Sequence, residues 1–233
     1  KNSKNSKAMI VAFSAGGRMK EYCVKNQIQY FEIQSIHSPR ASLMNFLFSI
    51  LSILERIIPI KKQDAFKTIE DMQNTKQKIS SSNLSSDNTA LSLAEWITDI
   101  PIIYYPWGLQ SVAIRFKNSL QENAKLHAAA EDVIEMCHNG IVAWEKTANL
   151  KPILIRGEDD YIKTKERCEI LKQYFSERKI DYREVFSVKG NILSKIVNLI
   201  YMLDYTSIYR AILSEINPSP VDSIDFIKER LVD

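Results

Sequence analysis

Residues 100–125 read IPIIYYPWGLQSVAIRFKNSLQENAK, and the reading of this stretch decides the fold. The opening run, IPIIYY, is rich in β-branched and aromatic residues, which favour a strand. Pro106 and Gly108 end it, and a long helical pattern opens at once. Phe116, Leu120 and Ala124 recur at four-residue spacing on one side. Asn118, Glu122 and Lys125 share a neighbouring polar side. Strand, tight turn and helix are the unit from which parallel α/β sheets are built. The organising region continues through LHAAAEDVIEMCH to His138, and the next strand candidate is KPILIR at 151–156.

The same order occurs near the N-terminus. AMIVAFS at 8–14 reads as a buried strand, AGG at 15–17 as a turn, and a helical pattern runs through Cys23 to a second strand near Gln29–Ile33. Ser14, Gly16 and Gly17 could offer backbone N–H groups to an anion, as phosphate-binding turns do. An ordinary tight turn explains them as well. Arg40 could anchor an anion or close a sheet edge.

Residues 41–54, ASLMNFLFSILSIL, carry no charge, and Pro59 closes the helical pattern beyond them. The run is shorter than the about 20 apolar residues that span a bilayer, so a buried helix is expected. Residues 61–78 are polar and read as a helix or a solvated arm. SSSNLSSDN at 80–88 reads as a linker or mobile loop, and a short helix containing Trp96 follows. After 151–156 come a helix to about Glu177, a strand candidate at 181–188 and a long helix over 190–215. In that last helix Leu199, Ile200, Leu203, Ile208 and Leu213 belong to a broad buried face. Tyr201, Tyr205 and Tyr209 lie four apart on one side and are expected to pack, within the chain or against another subunit. NPSP at 217–220 stops this helix, and VDSIDFIKERL forms a terminal one. The divisions expected are a first α/β part over 1–60, a connection over 61–99, a second α/β part over 100–216 and a tail over 217–233.

Composition narrows the function. The chain has 233 residues, 31 basic and 28 acidic, for a net charge of +3. That balance gives no electrostatic footprint for a nucleic-acid partner, and no membrane segment is expected. Cys23, Cys137 and Cys168 include no close pair, which favours a reducing, cytoplasmic setting over a disulfide scaffold. His37, His127 and His138 make no compact metal signature. No serine nucleophile elbow and no phosphate-binding P-loop motif occurs. The chemistry-bearing residues that remain are Glu122 and His138. A carboxylate on a helix face can abstract a proton where that face opens into a pocket, and it can equally form a solvated salt-bridging face. An imidazole suits proton exchange near neutral pH and equally serves as a structural hydrogen-bonding group.

The ordered segments VAFSAGG (11–17), PRASLMNFLF (39–48), LQENAK (120–125), CHNGIVAWE (137–145), LIYMLDYTSIYRAIL (199–213) and NPSPVDSIDFIKERL (217–231) together resemble the archaeal-type bifunctional phosphoglucose/phosphomannose isomerases, of the sugar-isomerase (SIS) fold group. The resemblance implies three-layer αβα subdomains with parallel sheets, the first of them incomplete here. The family's serine/threonine-rich phosphate loop would precede residue 8. It implies interconversion of glucose 6-phosphate and fructose 6-phosphate, and of mannose 6-phosphate, through a cis-enediol, with neither a redox cofactor nor a metal. It assigns the C1–C2 base to Glu122, and ring opening and oxygen proton exchange to His138 and Lys228. Phosphate contacts fall to Ser14, Gly16 and Gly17, and charge stabilisation to Arg40. For Lys228 an exposed terminal lysine is the competing reading. It further implies a homodimer with shared active sites. The pattern departs at Gly140, where the family carries an acidic residue. A noncatalytic SIS module that binds a sugar phosphate for regulation is the alternative from a different class.

Overall fold

The computed structural model describes residues 9–146 and 148–231, which fall into two compact units divided between Ala65 and Phe66. In the first unit, β1 (Val11–Ser14) and β2 (Gln29–Glu32) pair in parallel, with Phe13 opposite Phe31. Their rings stack at 5.6 Å. Helix α1 (Gly17–Lys25) joins the strands and buries Cys23. A 3-10 turn (Pro39–Ser42) leads into α2 (Leu43–Ile53). The helix expected over 41–54 therefore exists, but none of its side chains is fully buried.

The second unit is built on a four-stranded parallel sheet of order β4-β3-β5-β6. The strands are β3 (Ile100–Tyr105), β4 (Ala129–Asp132), β5 (Leu150–Arg156) and β6 (Arg183–Phe186). Parallel strands need helices on both faces, so central ones read as continuous apolar runs. The two inner strands, β3 and β5, do so: Ile103, Tyr104, Ile153, Leu154 and Ile155 are all buried. The flanking helices are α3 (Lys62–Ile79), α4 (Thr89–Trp96), α5 (Gln110–Asn123), α8 (Ile162–Glu177) and α9 (Ile192–Leu213). Between β4 and β5 the chain makes α6 (Val133–Glu135), a π-helical turn (Met136–Gly140) and α7 (Ile141–Ala143). Helix α10 (Asp222–Lys228) is the last helix of the described chain.

Two sequence expectations are corrected in this unit, and the packing expected of the α9 tyrosines is found within the chain. Residues 129–132, AAED, lie within the stretch read from its helical run, yet they form β4 in register with Ile102–Tyr105. Residues 80–88 are a stitched connection and no loose loop. The Asn88 side chain is buried, donates to the carbonyls of Ile79 and Asn83, and accepts from Leu91 N–H to cap α4. The tyrosine face of α9 is occupied within the chain: the Tyr201 and Tyr205 rings meet in a T-shape at 5.2 Å, Tyr205 and Tyr209 pack tilted at 6.0 Å, and the Tyr209 hydroxyl donates to Ile79 O at 2.7 Å. Among the described residues no helix is long and apolar enough to cross a membrane.

One face of the sheet is closed by a cluster of Tyr104, Val133, Met136, Trp144, Leu154, Cys168, Leu171 and Phe175. Trp144 Nε1 donates to the Tyr104 hydroxyl at 2.9 Å, which fastens the segment after β4 onto the central strand. Burial pushes the Tyr104 phenol up to about 12, so it stays neutral and able to accept and donate. Phe175 is fully buried and meets Trp144 edge-on at 5.4 Å. Phe175→Ala is expected to remove about 3–5 kcal/mol of stability, read as a lowered urea midpoint with an unchanged slope.

Candidate functional site

Helix α5 buries Val112, Ala113, Phe116, Ser119, Leu120 and Asn123, a stripe at helical spacing that faces the core. The stripe is not wholly apolar. Asp204 of α9 accepts from Arg115 Nε at 3.1 Å, from Arg115 Nη2 at 2.9 Å and from Ser119 Oγ at 2.6 Å. Asn123 Nδ2 donates to Ser207 Oγ at 2.8 Å. These bonds fix the rotation of α5 about its axis, because an axial slip would leave buried polar groups unpaired. Glu122, next to Asn123, is thereby turned to the half-buried margin of the helix.

Helix α5 ends immediately beyond Glu122. Lys125 adopts a left-handed conformation, φ 53°, which costs a non-glycine residue roughly 1–2 kcal/mol. Its side chain offsets that cost. Lys125 Nζ donates to the carbonyls of Glu122 and Pro220, both at 2.6 Å. The first is one of the orphan carbonyls at a helix C-terminus, and the second lies in the segment leading to α10. Lysine therefore holds the tail against the end of α5. Around this junction Gln121, Glu122, Lys125, Leu126, His127 and residues 220–224 line an open cleft of about 570 Å³. Its size suits a small ligand.

The other assigned residues fall as follows. His138 is exposed in the π-helical turn after β4, whose Met136 is anchored in the core. Lys228 is exposed in the last turn of α10, 3.9 Å from Asp225. The cleft beside Glu122 is lined by the start of the tail and by neither of these two residues. Topology accounts for the separation of Glu122 and His138. Helix α5 runs back along the sheet, so Glu122 lies by the end where β4 begins. His138 follows the end where β4 stops. The intervening strand has four residues, roughly 13 Å at about 3.3 Å per residue.

In the first unit the Ser14 hydroxyl accepts from Gly16 N–H at 3.3 Å and lies 3.1 Å from the Tyr30 hydroxyl. Gly16 and Gly17 have φ of 118° and 64°, the left-handed region where glycine carries no steric penalty. The turn opens α1, so its N–H groups stand at a helix N-terminus. Arg40 is half-buried in the 3-10 turn.

A parallel sheet flanked by helices is consistent with the αβα architecture of a sugar-isomerase (SIS) type subdomain. The chain belongs to the family described as bacterial phospho-glucose isomerase C-terminal SIS domain, whose model matches residues 86–231. It is 27% identical over 241 residues to a bifunctional phosphoglucose/phosphomannose isomerase of Caldicellulosiruptor bescii, covering 100% of this chain and 71% of that protein. A protein of the same description from Thermoplasma acidophilum is 25% identical over 227 residues, 96% of this chain and 68% of the relative. Among solved structures, a glucose-6-phosphate isomerase like protein from Thermus thermophilus aligns with a TM-score of 0.70 at 15% identity, over 95% of this chain and 78% of that one. Tagatose-6-phosphate ketose/aldose isomerase from Escherichia coli aligns at 0.62 and 12% identity, over 90% of this chain and 61% of that one. At such identities the structural matches speak to fold alone.

Lys125→Met is expected to release the tail. A net loss of about 1 kcal/mol from the two hydrogen bonds corresponds to a roughly five-fold rise in the open population. Limited proteolysis should then cut residues 217–221 about that much faster while the urea midpoint of the unit stays nearly unchanged.

Proposed function

We propose that the protein is an aldose–ketose isomerase of the archaeal-type bifunctional kind. It interconverts glucose 6-phosphate and fructose 6-phosphate and also accepts mannose 6-phosphate. The observation that carries this reading is Glu122 at the mouth of a ligand-sized cleft, half-buried and fixed by the α5–α9 bonds.

In the reaction, Glu122 takes the C2 proton of the open-chain aldose. The C2–H electron pair becomes the C1–C2 double bond of a cis-enediol as the carbonyl oxygen gains a proton. Return of a proton to C1, with loss of one from the C2 hydroxyl, gives the ketose. Nothing is oxidised overall, so the step needs no redox cofactor, and the family resemblance implies that it proceeds without a metal. His138 and Lys228 open the ring and move protons between oxygens. Ser14, Gly16 and Gly17 hold the phosphate, and Arg40 meets developing negative charge. Mannose 6-phosphate differs from glucose 6-phosphate at C2, the carbon that becomes planar in the enediol, so one base can serve both epimers.

Separation of Glu122 and His138 by the length of β4 favours a site completed by two copies of the chain in a homodimer. Such a dimer places Glu122 of one protomer against His138 of its partner. The turnover is that of a cytoplasmic carbohydrate pathway. The other reading, a noncatalytic sugar-phosphate-binding module, draws on the position of Lys228 outside the Glu122 cleft. It gives ligand protection without turnover.

Glu122→Gln keeps shape and removes the base. Its expected loss is about 10²–10⁴-fold in kcat for fructose 6-phosphate, with binding retained. Failure of the correctly assembled wild-type protein to isomerise any of the three hexose phosphates would sink the enzyme reading. Mixing inactive Glu122→Gln and His138→Asn proteins tests the shared site. Random exchange in a symmetric dimer should restore about a quarter of wild-type activity, and no recovery argues for sites within one chain.

A further inference from the structure

Neither His138 nor Lys228 lines the cleft beside Glu122, but one imidazole does: His127 stands in it together with Glu122, Lys125 and Asp222. Local backbone geometry puts it there. Lys125, in the left-handed region at φ 53°, turns the chain back after α5. Leu126 N–H then donates to Leu120 O at 3.2 Å, and Gln121 Nε2 donates to Ala128 O at 3.5 Å. His127 lies between these two fastenings, folded back beside the last turn of α5 as the chain enters β4.

The surroundings leave the ring available. His127 is exposed and makes no hydrogen bond or ion pair among the described residues. Lys125, by contrast, has its ammonium held by the carbonyls of Glu122 and Pro220. Ammonium and carboxylate side chains ordinarily keep one charge state near neutral pH, whereas an imidazole both gives and takes a proton there.

We infer that His127 is a second catalytic residue of this cleft, moving a proton between O1 and O2 of the sugar while Glu122 moves one between C2 and C1. The inference rests on the isomerase reading. As Glu122 takes the C2 proton, the C2–H electron pair forms the C1–C2 double bond, and the protonated His127 ring gives a proton to O1. The neutral ring next takes the O2 proton as the C2 carbonyl forms, and Glu122 returns a proton to C1. Both residues end as they began, and nothing is oxidised or consumed. His138 and Lys228 act at the earlier stage, between O1 and O5, where the ring opens. A relay on the same chain as the base keeps the two transfers in fixed relative geometry.

His127→Gln keeps a hydrogen-bonding side chain and removes the relay. The ring is exposed and unpartnered, so Tm should stay unchanged. For fructose 6-phosphate kcat should fall about 10²-fold, with KM within about two-fold. A deuterium experiment separates a relay from a merely structural role. An enediolate that cannot pass its proton from O2 to O1 collapses back to the aldose, labelled at C2 through Glu122. In deuterated water His127→Gln should therefore return about ten-fold more C2-deuterated glucose 6-phosphate per ketose formed than the wild type does. Mixing assigns the chain: Glu122→Gln with His127→Gln should show no activity beyond that of His127→Gln alone, because both groups belong to one cleft. Recovery of about a quarter of wild-type activity would place His127 in the partner's site and overturn the inference. An unchanged deuterium ratio, with or without a lower kcat, overturns it while the isomerase reading stands. A wild type that turns over none of the three hexose phosphates removes the isomerase reading, and the inference with it.

Discussion

A parallel sheet cannot leave either face in water, and that constraint organises the second unit. Its inner strands β3 and β5 are buried along most of their length, so helices must close both sides. On one side the closure depends on the Tyr104–Trp144 hydrogen bond and on Phe175 beside it. Tyr104 is on the central strand, and Trp144 follows the turn that carries His138. An exposed functional segment is thereby tied to the most buried strand of the unit. Met136 gives the same turn a second anchor in the core.

On the opposite side the closure is polar where it matters for the site. Arg115, Ser119 and Asn123 of α5 meet Asp204 and Ser207 of α9. Apolar packing alone tolerates small rotations of a helix about its axis, because dispersion has little directional preference. Directional bonds at three successive turns do not. Glu122 inherits that rigidity through its neighbour Asn123, and Lys125 extends it to the tail by bridging two carbonyls.

Much of this architecture was legible in the sequence because its inner elements have unmistakable periods. IPIIYY is apolar along its length, KPILIR is apolar between its terminal Lys151 and Arg156, and the helices after them bury residues at helical spacing. The strand AAED was not legible. Alanine and acidic residues have low strand propensity, and β4 lies at the sheet edge, where only one neighbour and partial burial hold it. Its pairing with β3 is a tertiary effect that no local pattern announces. The connection over 80–88 misled for a related reason. Its serines and asparagines have loop composition, yet Asn88 has buried partners at Ile79, Asn83 and Leu91. Tyr201, Tyr205 and Tyr209 were legible as a packing face, but not that α3 and α4 fill it.

The candidate site shows the same division. Glu122 and Lys125 could be singled out from helical spacing, since both sit at the end of one amphipathic run. The place of His138 could not be read, because it follows AAED, a strand that no local pattern announces, and only the pairing of β4 with β3 sets it beyond the end of the sheet away from Glu122. Gly140 in the same turn has ordinary helical φ and ψ, so its surroundings are a tertiary matter too: a Cβ there would press on the Glu131 carboxylate and on Met136 at 3.1–3.3 Å. Spacing along the chain therefore identifies residues that share one element, and fails for those that a strand pairing brings to one end of the sheet.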